Sequence, residues 1–171
     1  MLRPALALCT LLALAGPAAA QQKMTWHLQE GEETTALVFG VPDSDDGAIF
    51  FLCKPGTPGL TVQSMIGSKG IERGASTALV LTVGATKKSL VGKGVAGEEG
   101  EQVDVEAPAQ MADLKAFAKA GGTLTIEVKG AKRAISLSGV GPLVAKFEAA
   151  CKAKPAPKAE PGSEPKAGPK T

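Results

Sequence analysis

The chain has no tyrosine and no asparagine, and only one tryptophan and one histidine. Without asparagine there is no acceptor for an Asn-linked glycan. One Trp and five Phe provide few flat side chains on which bases or sugar rings can stack. A lone His27, with the cysteines better used in a bridge, falls short of the usual zinc ligand count. Charge of one sign is scarce as well. Nineteen basic against seventeen acidic residues give a formal net charge of +2, which argues against nucleic acid as a specific partner. Long hydrophobic runs are also missing. The most apolar stretch, 5–15, is too short for the roughly 20 residues that cross ~30 Å of hydrocarbon, so no membrane span is expected.

That short run has a different meaning at the start of the chain. Met1-Leu2-Arg3-Pro4 supplies one positive charge, the apolar run follows, and Ala18-Ala19-Ala20 precedes Gln21. This is the layout of a secretory signal peptide, with cleavage expected between Ala20 and Gln21. Cys9 lies inside the run rather than at its end, so it leaves with the peptide and is not a lipidation site. Removing residues 1–20 from a chain of 171 leaves 151 residues and two cysteines, Cys53 and Cys151. In an oxidising compartment an even pair is expected as a disulfide. The alternative is two buried free thiols. Heavy use of Ala, Gly and Pro suggests a GC-rich bacterial genome, so the expected location is the periplasm or the exterior.

Composition divides the remainder in two. From Lys152 onward the chain has no Leu, Ile, Val or aromatic residue, and residues 153–171 are expected to be a disordered Lys/Pro/Ala-rich tail. The tail is expected to aid solubility, or to tether the protein to an acidic envelope polymer. Residues 21–152 are expected to form a single β-rich domain. Trp26 and Leu28 alternate with Thr25 and His27. Residues 34–40 and 48–53 flank an acidic turn, Pro42 to Gly47, as a hairpin does. Further strands are predicted over 60–66, 77–83, 88–91, 102–106 and 123–129, the last pairing across Gly130-Ala131-Lys132 with 134–138. Spacings of about ten residues favour an antiparallel β-sandwich or small barrel.

Two helices interrupt this pattern. Pro108 is expected to open one over 109–119, with Gly121-Gly122 closing it. Its apolar face is Met111, Leu114, Phe117 and Ala118. The second is expected over 143–151, where Leu143, Phe147 and Cys151 recur every four residues with Val144 beside them. Cys151 would then face inward and pin the helix to Cys53 at the end of a strand.

No catalytic or cofactor motif stands out. Gly92-Lys93-Gly94-Val95-Ala96-Gly97 has dinucleotide-loop glycine spacing but no helix to open, so a flexible β–β connection is expected and no cofactor. Asp43-Ser44-Asp45-Asp46-Gly47 is one residue short of EF-hand order, and the twelfth position from Asp43 is Lys54 rather than Glu, so no metal site is expected. Lys87, Lys88, Lys129, Lys132 and Arg133 are expected on solvated strand edges. An enzyme would need paired carboxylates, from Glu98, Glu99, Glu101 and Asp104 or from the Asp43–Asp46 turn.

One arrangement carries a family resemblance. Phe51-Leu52-Cys53-Lys54 ends a hairpin, Thr123-Leu124-Thr125-Ile126-Glu127-Val128 forms a later strand, and Ile135-Ser136-Leu137-Ser138-Gly139 leads to a helix closing on Ala150-Cys151. In this order, over about residues 34–151, the chain resembles small exported proteobacterial β-rich proteins. It is also similar to the type VI secretion-associated periplasmic accessory family. The strand after Cys53 lacks that family's aromatic pattern, and the basic tail is foreign to it. The resemblance implies the same architecture and disulfide, and a secretion-linked role. The expected function is a non-enzymatic binding or accessory module whose partner is an envelope protein or polymer. The alternative is an inhibitor of an extracellular hydrolase such as lysozyme, and a carboxylate-dependent hydrolase is the enzyme alternative.

Overall fold

A computed structural model of the protein describes residues 23–66, 70–97 and 103–153. Ala20 and Gln21, Glu98, Glu99 and Glu101, and residues 154–171 of the tail lie outside the described residues. In chain order the elements are β1 (Thr25–Glu30), β2 (Thr35–Gly40), β3 (Gly47–Cys53), β4 (Leu60–Ser64), β5 (Ser76–Val83), β6 (Thr86–Ala96), β7 (Val103–Ala109), α1 (Met111–Ala120), β8 (Thr123–Val128), β9 (Ala131–Ser136) and α2 (Val140–Lys152).

All nine strands of the described residues belong to one antiparallel sheet, ordered β1-β2-β3-β4-β7-β6-β5-β8-β9. The sheet curls into a half-barrel whose inner face holds both helices, so the mainly-β fold with an internal and a C-terminal helix is realised as a single curved sheet. Strand alternation assigns the faces. Ile49, Phe51 and Cys53 of β3, Val62 of β4, Leu79 and Leu81 of β5 and Leu124 and Ile126 of β8 point inward. There they meet Leu114 and Phe117 of α1 and Val140, Val144 and Phe147 of α2.

The curl brings the two edge strands towards each other, and side chains bridge them. Trp26 of β1 is buried against Phe39 and Phe51, and its indole N–H donates to the Ser136 carbonyl at the end of β9, 2.7 Å away. Arg133 of β9 donates to the Met24 sulfur at 2.9 Å. Nine alternating strands leave the first and last parallel. They are joined here through these side chains rather than by a backbone ladder.

Several local expectations change. The glycine-rich segment 92–96 is not a flexible connection but the second half of β6. A Cβ on Gly92 would lie 2.6 Å from the Glu106 carbonyl oxygen, and one on Gly94 would lie 2.4 Å from that of Glu72. Gly94 also bonds the crossing loop from both sides, donating to Ala75 and accepting from Gly74. The glycines permit close backbone approach within a strand. Pro108 sits in β7 opposite Thr61 and does not open α1, which starts after Gln110. The β6–β7 ladder has already ended at Lys93–Glu106, so the missing N–H of Pro108 interrupts no register pair there. The β8–β9 turn is Lys129-Gly130, both with positive φ (44° and 85°), so Ala131 and Lys132 belong to β9. Such a two-residue turn matches the twist of the strands it joins. Helix α2 begins at Val140 rather than Leu143, which makes Val140, Val144 and Phe147 its buried row and leaves Leu143 and Cys151 half-buried. Lys87 and Lys88 lie on β6, an interior strand, and Lys88 pairs with Asp113 of α1 at 2.7 Å. Lys132 and Arg133 do lie on the edge strand β9.

Three stability outcomes follow from this packing. Gly94→Ala must displace the Glu72 backbone and is expected to cost about 1–3 kcal/mol in urea denaturation. Gly141→Ala, where nothing lies within 4 Å of the added Cβ, is expected to be neutral or to stabilise by up to about 1 kcal/mol. The buried Ser64 hydroxyl has no hydrogen-bond partner among the described residues. Ser64→Ala is therefore expected to be neutral or to raise stability by about 1 kcal/mol, read from the same denaturation midpoints.

Candidate functional site

The outer face of the sheet is not uniformly polar. The run Ala48 to Cys53 is apolar at every position, so β3 carries apolar side chains on both faces, with Phe50 and Leu52 outward. Register extends this into two rungs of cross-strand neighbours. One runs Gln29, Ala36, Leu52, Thr61, Pro108 and the other His27, Val38, Phe50, Gln63, Glu106. Each rung is apolar at its centre, on β2 and β3, and polar on at least one flank.

Among the described residues, two open cavities follow these rungs and a third adjoins them at the end of α2. One of about 300 Å³ lies over Gln29, Ala36, Phe50, Leu52 and Met65. The next, about 480 Å³, shares Thr34, Leu52 and Gln63 with the first and adds Thr61, Glu106 and Pro108. The third, about 320 Å³, shares Thr57, Gly59 and Leu60 with the second and reaches Gln110, Glu148 and Lys152 at the end of α2. The shared linings make one groove across β2, β3, β4 and β7, ending where the helix is tied down.

The walls of the groove are held firmly. Cys53 and Cys151 are joined, with Cα atoms 5.8 Å apart and 98 residues between them in sequence. In the chain-entropy model such a loop closure contributes up to about 4–5 kcal/mol. The Gly56 N–H donates to the Cys151 carbonyl at 2.9 Å, so the loop after β3 caps the last turn of α2 as well. Thr57 turns back on the Lys54 carbonyl through both its backbone N–H and its hydroxyl. On the α2 side, Glu148 accepts from Lys152 at 2.8 Å and from Lys115 of α1 at 3.0 Å. These two hydrogen bonds, that from Lys152 first, hold its carboxyl below the usual value of 4.5.

Gln63 is the best-positioned polar side chain in the groove. Its amide N–H donates to Asp104 Oδ2 at 3.2 Å. A carboxylate accepts only, so this bond sets the amide orientation and leaves a second N–H and the carbonyl oxygen for other partners. Asp104 itself is 1 % exposed and supports Gln63 from within the sheet rather than facing a ligand. Of the carboxylates considered for acid–base work, Asp104 is thus buried. Asp43, Asp45 and Asp46 form the exposed β2–β3 turn, where the Asp46 N–H bonds the Ser44 hydroxyl. His27 lies outward on β1, its ring nitrogens 3.1 Å from the Thr25 carbonyl oxygen and 3.3 Å from the Gln29 amide nitrogen. Among the described residues, no three His, Cys, Asp or Glu side chains gather where they could hold a metal ion. Among the same residues, no helix is long and apolar enough to cross a membrane.

No local motif marks Phe50, Leu52 or Gln63 as a site residue. The unbroken apolar run of β3 was the available signal, since a strand with one wet face normally alternates. Comparison with family models, curated proteins and solved structures finds no match to this chain.

The Glu148 bonds have a pH consequence. A carboxyl held low when folded adds stability above its unfolded value of 4.5, and that stability is lost as pH falls through the lower folded value. Glu148→Gln is expected to lower stability slightly near neutrality and to change little at the acid end, where the parent carboxyl is protonated too, so that the acid limb of the stability curve flattens. Urea midpoints measured across pH 2–6 check this.

Proposed function

We propose that the protein is a non-enzymatic binding module exported to the bacterial periplasm and docking through the groove on the outer face of β2, β3, β4 and β7. The observation that carries this reading is the groove itself: an apolar floor of Phe50 and Leu52, flanked by Gln63, Thr61 and Glu106, on a sheet whose neighbouring loop and helix are tied by a disulfide. Surface held rigid before binding loses little conformational freedom on binding, which favours affinity. Export is supported by the Arg3-led apolar head ending at Ala20 and by a cysteine pair that is joined.

The polar groups of the groove suit recognition better than chemistry. Gln63 and Thr61 donate and accept hydrogen bonds, while Asp104, buried beside Gln63, is occupied in orienting it. The strands under the groove all lie inside the sheet, so their backbone groups already serve neighbouring strands and the side chains do the recognising.

A photo-crosslinking residue placed at Leu52 tests this reading in an envelope extract, with the same residue at Thr82, on the outer face of β5, as the control. The expected result is a discrete adduct from position 52 and none from position 82. Equal labelling at both positions, or none at either, overturns it.

A further inference from the structure

We propose that the ligand of the groove is a neutral polysaccharide strand, an inference that rests on the binding reading above. The charge of the groove is the first argument. Along its central part Glu30 and Glu106 stand against Lys54, with the amides of Gln29 and Gln63 and the hydroxyls of Thr34 and Thr61 between them. Over the whole length, Glu30, Glu106 and Glu148 alternate with Lys54 and Lys152, so a polyanion meets three carboxylates and a polycation meets two ammonium groups. A chain of uncharged hydroxyl-bearing rings meets neither obstacle.

Backbone geometry supplies the second argument. An extended peptide gains most of its affinity on a sheet by adding to an edge strand. The groove crosses β2, β3, β4 and β7, none of them an edge strand, although the end of β7 beyond Glu106 lacks a register partner on one side, so that mode has little room here. What remains is recognition by side chains projecting from a face. Sugar rings need flat or gently curved apolar surface for their C–H faces and amide, carboxylate or hydroxyl groups for their equatorial oxygens. Although flat side chains are few in this chain, Phe50 and Leu52, half-buried on the outer face, provide the first, and Gln63, Thr61 and Glu106 the second, on adjacent rungs. Gln63 has the added property that Asp104 fixes its amide plane, so its remaining donor and acceptor reach a ligand pre-oriented.

The shape agrees. The groove is open along its length and continuous through shared residues, which suits a strand entering and leaving rather than a small molecule enclosed on all sides.

The test is titration of the full exported chain with chitohexaose and, separately, with maltohexaose, followed by amide chemical shifts. The expected result is saturable shifts with one of the two at Leu52, Thr61 and Gln63, weakened about tenfold in Gln63→Ala, a loss of about 1.4 kcal/mol of binding. The circular dichroism spectrum of that variant should stay close to that of the parent, while its urea midpoint is expected to fall because buried Asp104 loses one donor. Conservative Gln63→Glu keeps an acceptor but loses the donor beside Asp104, and is expected to weaken binding as well. Absence of shifts with both sugars, or shifts that Gln63→Ala leaves unchanged, overturns the proposal. Groove shifts produced by deleting residues 154–171 overturn it too, because they assign the groove to the chain's own tail. If neither sugar binds while position 52 still gives a specific protein adduct, the glycan proposal falls and the binding-module reading stands.

Discussion

The rest of the structure depends on the burial of α2 against the inner face of the curled sheet. Val140, Val144 and Phe147 are almost wholly removed from water in the core they share with the inward side chains of the sheet, and α2 packs mainly against α1, β1 and β2. Burial of one large apolar side chain contributes roughly 1.5–3 kcal/mol. Without the helix the inner face of nine strands would stand open. With it, the curl has something to close around, and the Trp26 bond to the Ser136 carbonyl draws the two edges together over the same core.

The covalent and polar ties act at the end of that helix. The Cys53–Cys151 bond joins its last turn to β3, the Gly56 N–H takes the Cys151 carbonyl, and Glu148 is gripped from α1 and from its own helix. The exposed ion pairs add little by themselves. Their effect is positional: they steady the helix end that forms one limit of the outer groove. Core packing and the candidate site are linked in this way, although they occupy opposite faces of the sheet.

Most of the strands and both helices were legible in the sequence, because alternation, turn residues and four-residue spacing are local signals. The Cys53–Cys151 pairing was legible from cysteine arithmetic and from the inward phase of Cys151. Misplaced features were those in which a distant segment decides the outcome. Gly92 and Gly94 look like a loop until Glu106 and Glu72 are seen crossing above them. Pro108 looks like the start of a helix until β4 pairs with it as a strand. The binding groove was half legible. The continuous apolar run of β3 announces a second apolar face, but the polar residues beside it come from β4 and β7, more than forty positions apart at Gln63 and Asp104.

Local sequence was therefore enough to establish a β-rich chain with two amphipathic helices and a cysteine pair placed to join one of them to a strand. It also specified which side of each regular strand is apolar, since a period of two leaves little choice. Tertiary structure alone decided that nine strands form one curved sheet rather than two stacked ones, that β7 inserts between β4 and β6, and that the outward side chains of β2, β3, β4 and β7 share a groove. The physical reason is that strand neighbours are set by non-local hydrogen bonds and by the core they enclose. Spacing along the chain encodes a strand's faces, while the company each face keeps depends on the assembled sheet.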